Sequence, residues 1–182
     1  EFRLGSCHGL ASHHVLGAMR SSRAALVEHL AGTDAASERF SIAPGFKAQS
    51  TGNVIGRLNQ RALDGPPAVK LDCDVPDWLI DPDQWRERCD TERVRYELIL
   101  EHVHQLSAAR EQRKAEVLIE LSTRHDRVLA FDHHRITLAQ LEPLIVRSGT
   151  DVVVATGAVT QSRKRVEKLC ALTSTATASA WC

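Results

Sequence analysis

Apolar residues recur at roughly helical steps over residues 8–31. Leu10, Val15, Leu16 and Met19 make one face, and Ala25, Leu26 and Leu30 make another. Ser21-Ser22 separates the two and offers an N-cap, so the pattern predicts two helices, the second starting at Arg23. Gly32 stands where a helix stop is expected. Over 32–83 the periodicity is lost among Gly45, Gly52, Gly56, Gly65, Pro44, Pro66, Pro67, Pro76 and Pro82. That punctuation predicts a loop-rich insertion or linker. Within it, Val75 to Pro82 carries apolar anchors that can pack on the main body.

Helical spacing returns after Pro82. Tyr96, Ile99, Leu100, Val103 and Leu106 form a stripe, with Arg86, Glu87, Arg93, Arg95 and Glu101 on the polar face. Val117, Leu118 and Leu121 carry an apolar face through 110–122. Next, the run Arg127-Val128-Leu129-Ala130-Phe131 predicts a short strand over 128–131. Leu138, Leu141, Leu144 and Ile145 predict a helix over 137–146, with Pro143 marking a kink or early stop and Gly149 the end. Asp151-Val152-Val153-Val154-Ala155-Thr156 has the continuous apolar character of a buried strand. A helix over 161–172 and the start of a third strand over 176–181 complete the pattern. Strands alternating with helices imply an α/β fold with a parallel sheet and crossover helices. The expected organisation is a helical linker or insertion region at 1–106, loop-rich at 32–83, and an α/β unit at 107–182.

Composition narrows the classes. The 182 residues are 43% hydrophobic and 25% charged, the balance of a globular chain. No apolar run approaches the roughly 20 residues needed to span a bilayer. Glu1 to Gly17 lacks a basic start followed by an apolar stretch, so no secretory signal is expected there. Lys plus Arg equals Asp plus Glu at 23 each, which counts against a self-sufficient nucleic-acid binder but allows a few phosphate contacts. The five cysteines, Cys7, Cys73, Cys89, Cys170 and Cys182, are odd in number and widely spaced. They read as reduced thiols in a cytoplasm rather than a disulfide framework.

Several of these stretches resemble, in order, the elements of ATP-dependent superfamily-two helicases of the Swi/Snf or RapA type. Met19-Arg20-Ser21-Ser22-Arg23-Ala24-Ala25-Leu26 is similar to the helical element with paired serines between that family's two RecA-like lobes. Arg127 to Asp132 resembles the motif IV strand that opens the second lobe, preceded by a helix containing Lys114. Ile136-Thr137-Leu138 with Leu141 matches the helix that follows. Val154-Ala155-Thr156-Gly157, then Ser162-Arg163-Lys164-Arg165-Val166 and Leu169, look like the next strand and its Arg-bearing helix. The resemblance implies linker helices followed by a partial RecA-like parallel sheet. It implies ATP and Mg as ligands of a parent enzyme, a nucleic-acid substrate with DNA foremost, and a first RecA-like lobe as partner. A truncated lobe would also tend to self-associate through its exposed sheet edge.

The departures from that family are large. The chain has no G-x-x-x-x-G-K-[ST] and no acidic box after a strand. The family's later motifs, with its arginine finger, would lie beyond Cys182. Phosphoryl transfer needs phosphate cradle, metal ligand and transition-state Arg together, so no hydrolysis is expected from this chain alone.

In that family the region of Thr156, Gly157, Ser162, Arg163 and Arg165 approaches the nucleic-acid backbone. Glycine allows close approach, and hydroxyls and guanidiniums suit phosphate. The plain alternative is a solvated strand-to-helix turn. Asp132, His133 and His134 would sit at the carboxyl edge of the first strand, where α/β sheets hold ligands; the alternative is an ordinary polar loop. A metal site is not expected. His13-His14, His102-x-His104 and His133-His134 are adjacent or two apart, whereas ligands on one helix face need three or four. Trp78, Trp85 and Tyr96 suggest a base-stacking platform or, more simply, anchors of the linker. Two other functions stay open: a stand-alone α/β binding or regulatory domain with a helical arm, and a small enzyme using His133, His134 or Cys170.

Overall fold

The structure, a computed structural model, describes residues 2–42, 52–68, 75–155, 164, 166 and 167, with side chains in the first helix described from Ala11 onward. The chain divides into two units, Glu1–Leu106 and Ser107–Cys182.

In the first unit, α1 (Phe2–Ser21) runs into α2 (Arg23–Ala31), then α3 (Thr33–Arg39), α4 (Val54–Asp64), a single 3-10 turn (Asp77–Leu79) and α5 (Pro82–Gln105). Helix α2 is the hub, packing against α1, α3, α4 and α5. Ala24, Ala25, Leu26, Val27 and Leu30 are all at most 2% exposed. The helix is buried on nearly every side, Glu28 included, and so its sequence shows little amphipathic contrast. Its start is set by Ser22, in extended backbone, whose hydroxyl accepts the Ala25 N–H at 3.0 Å. Its end is set by Gly32, at φ +100°, whose N–H donates to the Glu28 carbonyl. Ser22 is fully buried, so Ser22→Ala strands the donor it satisfies. That variant is expected to lose about 1 kcal/mol of stability in urea denaturation, and an unchanged midpoint would refute the capping role.

The stretch 32–83 corrects the loop-rich expectation, because α3 and α4 lie inside it. Local signals for α4 are present: the Asn53 side chain accepts the Gly56 N–H, and Gly65 at φ +79° closes the helix. Clustered glycines and prolines masked an amphipathic run of only 11 residues. Helix α4 lies along α5, whose entry is capped by Asp81 accepting the Asp83 and Gln84 N–H groups, with Pro82 in the first turn. On α5, Trp85, Cys89 and Val103 are buried, and Tyr96, Ile99 and Leu100 of the expected stripe are half-buried. Leu106, at the end of that stripe, is 41% exposed.

The second unit contains α6 (Ala109–Arg124) and α7 (Arg135–Val146), packed on each other. Ala115, Leu141 and Ile145 form its core, covered by Leu118, Ile119, Leu144 and Val152. Helix α7 runs through Pro143, whose ring sits on the exposed side, and ends within a turn of it. Gly149, at φ +81°, follows.

Among the described residues no strand and no sheet forms, which overturns the expected α/β class and the RecA-like parallel sheet. Residues 125–134 connect α6 to α7 as irregular chain, and 151–155 are irregular too. Leu129 is 76% exposed and Phe131 92% exposed, so the first expected strand buries neither large side chain. The physical reason is that a strand is not a local structure. Its N–H and C=O groups need a paired neighbour, and here no ladder joins 127–131 to 151–155. Of the expected helix 161–172, residues 164, 166 and 167 are helical, and the expected third strand lies outside the described residues.

Candidate functional site

The phosphate-contact candidates Thr156, Gly157, Ser162, Arg163 and Arg165 all lie outside the described residues. The other expected cluster, Asp132, His133 and His134, is described and does come together. It forms the entry to α7 rather than the end of a strand, which corrects its expected setting. Asp132 Oδ1 accepts the His134 N–H at 2.8 Å, closing a tight turn. The His134 carbonyl accepts the Thr137 N–H at 3.0 Å and so begins the helix. His134 is the N-cap residue, yet its side chain makes no capping bond. The two imidazoles lie with centroids 4.8 Å apart.

Burial pushes the His134 imidazole below its ordinary pKa, the neighbouring His133 pushes the same way, and Asp132 opposes both. Its Nδ1 is buried with no hydrogen-bond partner among the described residues. A neutral ring is the form that tolerates that setting. An imidazole with a depressed folded-state pKa holds its proton less tightly in the fold than in the unfolded chain. Its contribution is full above the free value of about 6.5 and is lost as pH falls through the depressed one. The urea midpoint is therefore expected to drop between pH 7.5 and 5, with a smaller drop in His134→Gln. An identical drop in the variant would remove His134 as a cause.

The remaining clusters are structural in character. His14 stacks with His29 at 6.2 Å between ring centroids, and His13 lies edge-on to His14 at 6.1 Å. Among the described residues no group of three His, Cys, Asp or Glu side chains could hold a metal ion. Trp78 and Trp85 stack at 6.3 Å with an 8° interplanar angle, and the Arg88 guanidinium lies 5.9 Å from the Trp78 ring. A base-stacking platform needs an open ring face. Trp85 is only 8% exposed, and its indole N–H donates to the Arg61 carbonyl at 2.8 Å, so it works as an anchor. Burial raises the Tyr96 phenol, aided by Glu92, and burial likewise raises the Cys89 thiol. A buried thiol held protonated is a poor nucleophile.

Sequence reasoning missed one junction. The Arg23 guanidinium donates to the Leu106 carbonyl at 2.6 Å and lies 5.4 Å from the centre of the Phe40 ring. Residues 83 positions apart in the chain leave no sequence signal of such a meeting. No described helix is long and apolar enough to cross a membrane. Comparison of the chain with family models, with curated proteins and with solved structures finds no match.

Proposed function

We propose that this chain is a non-catalytic part of a nucleic-acid-dependent, ATP-driven helicase or translocase of the Swi/Snf or RapA type. The observation that carries the reading is the order of short elements along one sequence: Met19–Leu26, Arg127–Asp132, Ile136–Leu141, Val154–Gly157 and Ser162–Leu169. The helical state of Arg23–Leu26 and of Ile136–Leu141 adds support, as does the buried serine pair Ser21-Ser22 between two helices. On this reading ATP and Mg belong to the parent enzyme, and the chain works in the cytoplasm on nucleic acid. Its own contribution is mechanical: helices of the linker and a few backbone contacts from Ser162, Arg163 and Arg165.

Binding of a labelled DNA duplex, followed by anisotropy across salt concentrations, tests this. Affinity is expected to fall with salt, and Arg163→Ala with Arg165→Ala to weaken it and flatten the salt dependence by about one unit of slope per charge removed. Binding indifferent to both substitutions would overturn the site. ATP turnover by the purified chain, at a rate independent of contaminants, would overturn the non-catalytic role.

A second reading is a stand-alone helical domain that binds a protein or small ligand. Helix as the one regular secondary structure among the described residues favours it. A chain that stays monomeric at high concentration and ignores DNA at low salt would select this reading.

A further inference from the structure

Helix α5 ends at Gln105, and the first unit ends at the next residue, Leu106. The last carbonyls of a helix lack intrahelical donors and carry the negative end of its dipole. Here the Leu106 N–H turns back to the Val103 carbonyl at 3.2 Å. The Leu106 carbonyl accepts from Arg23 Nη1 at 2.6 Å. Arg23 is the first residue of α2, the buried hub, and follows directly on the fully buried Ser22 cap. Its base is therefore rigid. Its guanidinium is also held from the side by Phe40, the residue that closes α3. Arg39 approaches the same ring at 6.0 Å, so two cations share one aromatic.

We infer that Arg23 is a strap that holds the last turn of α5 to the α2–α3 corner and so fixes the point at which the chain leaves the first unit. It is a positioning residue in a conformational device, with Phe40 as its rest. A planar guanidinium can stack on the ring and donate to the carbonyl together; a lysine ammonium cannot do both in one geometry.

Hydrogen exchange of the full chain, read peptide by peptide by mass spectrometry, tests the strap. In Arg23→Ala, exchange over residues 103–110 is expected to quicken about tenfold or more, the worth of one hydrogen bond to a charged group. Exchange in α4 is expected to stay as in the parent chain. Arg23→Lys and Phe40→Leu are expected to show the same local effect, smaller in size. Unchanged exchange over 103–110 in Arg23→Ala overturns the strap. So does equal quickening throughout the first unit, which would make Arg23 a general stabiliser, and so does an Arg23→Lys profile matching the parent.

Discussion

Replacing Trp85 with alanine is expected to cost the first unit about 3–5 kcal/mol, enough to unfold a marginal domain. Three interactions meet at this one ring. The indole is 8% exposed in the first turns of α5, so its removal opens a large cavity in a core otherwise poor in aromatics. Its N–H satisfies the Arg61 carbonyl in the last turn of α4 at 2.8 Å. Its face stacks on Trp78 in the 3-10 turn, which draws the 75–80 segment onto the helices. Trp85→Phe separates the terms. It keeps an aromatic ring and loses the hydrogen bond, so about 1–2 kcal/mol is expected. Urea denaturation followed by circular dichroism gives both numbers. An alanine variant within about 0.5 kcal/mol of the parent, the range of ordinary surface changes, would remove Trp85 as the tie between α4 and α5.

Leu141→Ala is expected to cost the second unit about 2–5 kcal/mol. The side chain is 7% exposed and sits with Ala115 and Ile145 in a core closed by Leu118, Ile119, Leu144 and Val152. Among the described residues that core is built from α6, α7 and Val152, so a cavity there opens at the contact between the two helices. Val146→Ala is the control: Val146 is 55% exposed at the end of the same helix, and a change within about 0.5 kcal/mol is expected. Loss of protection from hydrogen exchange across α6 and α7 together would show that the pair opens as one unit. Equal effects of Leu141→Ala and Val146→Ala would overturn the packing of α6 on α7 around Leu141.

Much of the helical framework was legible without coordinates. Ser22 as a cap and Gly32 as a stop are local signals, each acting through backbone groups within four residues, and Pro82 marks where helical spacing resumes. The face of α7 carrying Leu141 and Ile145 followed from spacing alone. Helix α4 was missed although Asn53 and Gly65 bracket it, because its 11 residues lie among breakers that outweighed its own periodicity. The polar turn Asp132–His134 was found for its chemistry but given the wrong support: it starts a helix instead of ending a strand.

The amino-acid order by itself determined α2, α5 and the apolar faces of α6 and α7, since a helix closes its hydrogen bonds within its own segment and its spacing shows in the sequence. Tertiary structure decided what no segment can settle alone. It left Arg127–Phe131 and Asp151–Ala155 outside any sheet, because a strand exists only when a second one pairs with it. It turned Trp85 from a stacking candidate into an anchor, because burial depends on what packs around a ring. It brought Arg23 to Leu106 across 83 positions, a meeting created by the packing of α2 against α5.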